Sequence, residues 1–179
     1  MVSDSILDFA AQLSQAPAAP VIEERELHLV VFRLDREEYA VPIELVREVV
    51  RVADVTRVPH APAHIRGVMN LRGRILPIVE IRTRLGLSRA DVTPTSRVVV
   101  VEVAGRTVGL LVDAVGQVAR VSERLIAAPP EEVRTAGAEA VTAVARVGTR
   151  LLVLLDLERV LASTTSNVNS TAPSAASQP

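Results

Sequence analysis

The sequence predicts an all-β chain built as two similar small antiparallel barrels, each five-stranded, with short helices between strands. Three observations predict it. Short β-branched apolar runs recur between turn residues along most of the chain. One of them, Gly67 to Ile81 (GVMNLRGRILPIVEI), reads as two strands back to back around Arg72-Gly73. The first half of the chain also returns in the second. RLDREEYAVPIELVREVVRV (33–52) lies on EVAGRTVGLLVDAVGQVARV (102–121) without a gap, keeping Val41/Leu110, Ile43/Val112, Val46/Val115, Val49/Val118 and Val52/Val121 apolar. GVMNLRGRILPIVEIRTRL (67–85) lies on AVARVGTRLLVLLDLERVL (143–161), where Arg74/Arg150, Glu80/Asp156 and Leu85/Leu161 coincide. A repeat of about 70 residues is too long for a solenoid unit and suits a small barrel, which closes its sheet and removes most exposed edges.

Taken in order, the chain opens with a polar tail. Residues 1–24 and 163–179 are expected to be disordered, because segments such as SQAPAAP and STTSNVNSTAPSAASQP cannot bury enough apolar surface to offset chain entropy. Within the first tail, Ile6, Phe9, Ala10 and Leu13 fall at helical spacing behind Asp4 or Ser5, a marginal helix on its own. The folded part is residues 25–162, with a first barrel at about 27–86 and a second at about 97–161.

LHLVVFRL reads as a buried strand, Asp35-Arg36-Glu37 as a turn, and EYAVP as a second strand. Ile43 to Arg51 (IELVREVVR) carries Ile43, Val46, Val49 and Val50 at helical spacing and predicts a first helix with Glu44, Arg47 and Glu48 opposite. DVTRV is a strand, and Pro59 and Pro62 stiffen the loop after it. In the central hairpin, Gly73 supplies a positive φ at no steric cost. Pro77 has no N–H to give, so it should lie at an edge, at a bulge, or facing away from a neighbour. Residues 82–87 form a helical turn ended by Gly86, and 88–96 a polar linker. RVVVVEV, TVGLLV, DAVGQVARV, VTAVARV and RLLVLLDL then repeat the series, broken at Gly105, at Pro129-Pro130 and at Gly148-Thr149, and run into ERVLA.

Composition excludes several functions. A net charge of −1 lacks the basic footprint of a general nucleic-acid binder, and 2% aromatic residues leave no platform for stacking bases. Without cysteine there is neither a disulfide nor thiolate chemistry, which fits a cytoplasmic protein, and no apolar run approaches a membrane span, so direct membrane insertion is not expected. Glu80 and Asp156, one acid per half, each end an apolar strand before a short helix. A helix cap or first-turn anion is the simpler account than a catalytic dyad. His60 and His64 have metal-like spacing, but Pro62 breaks the helix that would align them, so no metal is expected. No phosphate loop or nucleophile elbow is present, and neither catalytic residues nor a cofactor are predicted. Arg66, Arg72, Arg74, Arg82 and Arg84 cluster locally, which keeps open an alternative: a barrel module binding nucleic acid or another protein.

The segments EEYAVPIELVREV (37–49), TRVPHAPAHIRGVMNLRGRILPIVEIRTRLG (56–86), VGLLVDAVGQV (108–118) and RLLVLLDLERVL (150–161) resemble the CheW family of chemotaxis coupling proteins. The NLRG tetrapeptide before a Pro-containing apolar strand with an acidic end is the most specific piece. The resemblance implies two SH3-like barrels and a non-enzymatic adaptor. It would stand between the cytoplasmic tip of a chemoreceptor and the regulatory domain of a CheA-type histidine kinase, recruited to receptor arrays. It further implies a receptor groove using Val46 and Glu48 on the first helix and Arg72 in NLRG, with Gly109, Val115 and Val118 as the second wall. The first barrel would meet the kinase and the second would make another ring contact. Ala40, where the family often has Gly, and Pro42, where acids are common, depart from the pattern.

Overall fold

The computed structural model describes residues 25–130 and 138–162, so the two tails and the helix expected at 5–13 lie outside the described residues. The first half holds β1 (Glu26–Leu34), β2 (Glu37–Pro42), β3 (Val46–Arg51), β4 (Val55–Thr56), β5 (Ile65–Leu71), β6 (Arg74–Glu80) and the helix α1 (Ile81–Arg84). The second half holds β7 (Arg97–Val103), β8 (Arg106–Val112), β9 (Ala114–Ser122), β10 (Ile126–Ala127), β11 (Val141–Val147), β12 (Arg150–Leu155) and α2 (Leu157–Ala162). The all-β expectation and the duplication hold strand by strand. Each sheet has six strands, the two-residue β4 and β10 adding to the five expected.

The sheets do not divide where the sequence suggests. One runs β10-β11-β12-β2-β1-β9 and the other β3-β7-β8-β6-β5-β4. The hairpin β1–β2 therefore completes the sheet of the second half, and β7–β8 completes that of the first. Contiguous barrels at 27–86 and 97–161 are corrected to two interleaved ones. The joins are parallel: Leu154 pairs with Ala40 in one, and Ile78 with Gly109 in the other. A repeat alignment identifies equivalent strands but is indifferent to which copy supplies them, so the exchange leaves no trace in it.

Exchange explains why the strands alternate poorly. Strands buried on both faces read as continuous apolar runs, successive side chains serving different cores. On β1, Leu29 and Val31 enter one barrel interior, while Val30, Phe32 and Leu34 enter a central cluster. On β7, Val98 and Val100 face the other interior, and Val99, Val101 and Val103 the same central cluster. All six strands of each sheet contribute to its own interior, so each sheet curls round on itself. The central cluster draws on both sheets and fuses the barrels.

Two local expectations change. Residues 43–51 are a 3-10 turn (Ile43–Leu45) followed by the strand β3, not a helix. The VREVV run is β-branched, and a register shift between Val46 and Glu48 blurs its period of two toward a helical one. Pro77 sits in an interior strand, yet the ladder between β6 and β8 begins only at Ile78, so the missing N–H interrupts nothing there.

Candidate functional site

The β5–β6 hairpin closes through a two-residue turn, Leu71 pairing with Arg74. Both turn residues have positive φ, Arg72 at 51° and Gly73 at 84°, the pattern of a type I′ turn. Asn70 Oδ1 accepts the Gly73 N–H at 2.8 Å and fixes the turn from one side. A left-handed arginine costs about 1 kcal/mol, and here the conformation aims its side chain back over the barrel. Arg72 donates from both terminal nitrogens to the two oxygens of Glu48, at 2.9 and 2.7 Å. That fork joins the β5–β6 turn to β3, a strand at the far edge of the same sheet. Arg72 is 75% exposed and Glu48 28%, so the pair stands at the surface and contributes little to stability.

The predicted groove residues fall into separate places in the fold. Glu48 and Arg72 are bonded to one another, and Val46 and Val115 both pack half-buried on the central cluster. Val46 and Glu48 lie on a strand rather than on the helix expected. Val118 is 52% exposed on the edge strand β9, and its repeat equivalent Val49 is 40% exposed on the edge strand β3. Gly109 corrects the expectation of a groove wall. It is buried inside the barrel, where an added Cβ would lie 2.5 Å from Val98 Cγ1 and 2.7 Å from Ile78 Cδ1. It lets β8 approach the packed interior.

Among the described residues Glu80 is the one charged side chain that is buried. Glu80 is 1% exposed and accepts from Arg66 at 2.9 Å, with Arg89 at 3.8 Å. Its side chain makes no cap hydrogen bond to α1, which corrects the capping account for this residue. Asp156 does cap: its Oδ1 accepts the Arg159 N–H at 3.1 Å at the start of α2. Arg82 grips Asp113 with two hydrogen bonds, 3.1 and 2.7 Å, tying α1 to the end of β8. Burial opposes the charge on Asp113, but the guanidinium of Arg82, the Asp35 N–H and Arg33 together hold its carboxyl below the usual range. Tyr39 donates to Glu37 at 2.7 Å, and burial followed by that carboxylate pushes its phenol upward.

His60 is exposed in a left-handed turn, and the main-chain oxygen of His64 accepts the Glu80 N–H at 2.7 Å. Among the described residues no group of three or more His, Asp or Glu side chains is placed to hold a metal ion. No helix among them is long and apolar enough to cross a membrane.

Residues 28–165 match the sequence profile of the CheW-like domain. A probable chemotaxis protein CheW of Rhizobium etli is 34% identical over 149 residues, covering 83% of this chain and 96% of that protein. The chemotaxis protein CheW of Rhizobium meliloti is 38% identical over 135 residues, covering 75% and 87%. The crystal structure of the scaffolding protein TtCheW from Thermoanaerobacter tengcongensis superposes with a TM-score of 0.70 at 32% identity, covering 82% of this chain and 97% of that one.

Proposed function

The chain belongs to the CheW-like domain family, and from that premise we propose that it is a non-enzymatic scaffold of a chemosensory array. In this reading it couples chemoreceptor cytoplasmic tips to a CheA-type histidine kinase, working in the cytoplasm at the receptor array. The observation that carries the reading is the Glu48–Arg72 fork, which joins the β5–β6 turn to β3 at the surface. An adaptor needs stable surfaces rather than reactive groups. Val46, Val115 and Val118 offer apolar area to a helix, while the fixed charges set its register and disfavour wrong partners. The barrel built from residues 46–80 and 97–112 would meet the regulatory domain of the kinase, leaving the other for a second ring contact.

Arg72→Ala separates this role from a structural one. The fold should keep its melting temperature, because the fork is solvent-exposed. Binding to a receptor signalling fragment should weaken by about thirtyfold, or about 2 kcal/mol, while binding to the kinase regulatory domain persists. Val46→Asp should weaken receptor binding too, but with a lowered melting temperature, since Val46 packs on the central cluster and an unpaired carboxylate there is costly to bury. Early melting of Arg72→Ala would make the arginine a hairpin clasp. Normal receptor binding by it would remove the groove from this surface.

A further inference from the structure

Arg150 and Arg74 stand at equivalent places in the two repeats, each the first residue after a hairpin turn. Arg150 has a carboxylate: its Nε and one terminal nitrogen donate to the two oxygens of Glu38, at 2.7 and 2.5 Å. On β8 the residue equivalent to Glu38 is Thr107, which lines the same cleft as Arg74. That cleft, of about 550 Å³, also holds the Arg72–Glu48 and Arg47–Glu102 pairs. Three guanidiniums thus face two carboxylates, and both carboxylates are already engaged. Among the described residues Arg74 has no acid within ion-pair distance. Beside it Ile75 is 68% exposed, the most open of the large apolar side chains described.

We propose that this cleft is a further contact for the receptor helix, accepting one of its carboxylates on Arg74 beside an apolar side chain on Ile75. The proposal rests on the receptor reading above and extends it, because the cleft shares Arg72 and Glu48 with the proposed groove. The second barrel supplies this carboxylate internally; the first leaves it to the partner. An arginine fork seats a carboxylate in two parallel hydrogen bonds, and the neighbouring isoleucine adds apolar contact that a merely solvated cation would lack. Arg74 would therefore act on partner choice, admitting helices with an acid at the matching turn.

The full chain would be titrated with the cytoplasmic signalling fragment of a chemoreceptor from the same organism, at low and at moderate salt. Arg74→Ala should bind about fivefold more weakly at low salt, and the deficit should shrink as salt rises. Thr107→Glu, which installs the carboxylate found in the other barrel, should weaken binding similarly with an unchanged or higher melting temperature. Thr107→Gln, of like size but neutral, should bind as the parent chain does. Parent-like binding by both Arg74→Ala and Thr107→Glu overturns the proposal. So does an equal loss in the Gln and Glu variants, which would make the effect steric, or a loss confined to the kinase regulatory domain. Failure of the unmodified chain to bind the fragment would instead sink the receptor reading on which this rests.

Discussion

Glu80 and Asp156 occupy the same place in the two repeats. Each ends a strand, and the main-chain N–H of each donates across to the segment before the hairpin, to His64 O at 2.7 Å and to Ala140 O at 2.8 Å. Their side chains then part. Glu80 is driven inward against Arg66, whereas the shorter Asp156 turns back on its own helix and caps it. The same division runs through the molecule. The Arg82–Asp113 clasp has Glu158 and Glu44 at the equivalent positions, and the Glu48–Arg72 fork has Gln117 and Gly148. What the repeats share is the apolar pattern and the ladder; what separates them is how their charges are paired. Apolar burial is non-directional and survives divergence, but an ion pair needs both members and is lost with either. One barrel is therefore free to carry recognition groups that the fold does not depend on.

The largest expected effect tests that shared ladder. Gly67 on β5 corresponds to Ala143 on β11. At Gly67 φ is 153°, and an added Cβ would stand 2.3 Å from the carbonyl oxygen of Thr56 and 2.9 Å from its carbon. Backbone cannot yield as a side-chain tip can, so Gly67→Ala should cost about 3 kcal/mol or shed β4 from the sheet. Ala143→Gly should cost about 1 kcal/mol or less. Urea unfolding of both variants measures the pair, and equal losses would mean that the two sheets are packed alike at this point.

Next comes the buried acid. Arg66→Ala removes the hydrogen-bonded partner of Glu80 in the interior and leaves Arg89 at 3.8 Å, and should cost about 3 kcal/mol. Glu80→Leu removes the charge instead. Arg66, 26% exposed, can turn outward, so that variant should stay within about 1 kcal/mol of the parent. If Glu80→Leu falls as far as Arg66→Ala, the pair contributes net stability rather than only avoiding an unpaired charge.

These contrasts show what the sequence could and could not carry. The hairpin at Arg72-Gly73, the strands on either side of it and the duplication were legible, because turn chemistry and β-branched runs act locally. The strand β3 was not: Val46, Val49 and Val50 match a helical period once a bulge displaces the strand period by one residue. The exchange of β1–β2 and β7–β8 was also hidden, since equal copies satisfy either partner equally. At the candidate site, Arg72 and Glu48 were named only through the resemblance; they lie twenty-four residues apart, and only the closed barrel brings them together. Gly109 misled because a glycine chosen for tight interior packing and one lining a groove look the same in sequence.

The smallest expected effect isolates the cap on α2. Asp156 Oδ1 accepts the Arg159 N–H at 3.1 Å, while its Oδ2 lies 3.3 Å from the guanidinium of the same residue. Hydrogen bond and ion pair are thus superimposed. Arg159 is 62% exposed, so the ion pair should contribute a few tenths of a kcal/mol at most, and the cap about 1 kcal/mol. Asp156→Ala removes both and should lose about 1 kcal/mol in urea. Asp156→Asn keeps an acceptor at the helix start and discards the charge, so it should recover most of that loss. High salt should leave the difference between Ala and Asn intact, because a backbone cap is not screened as an exposed ion pair is. If Asn loses as much as Ala, and salt erases the loss in both, the charge governs this end of the second repeat. The two acids would then differ in burial but not in kind.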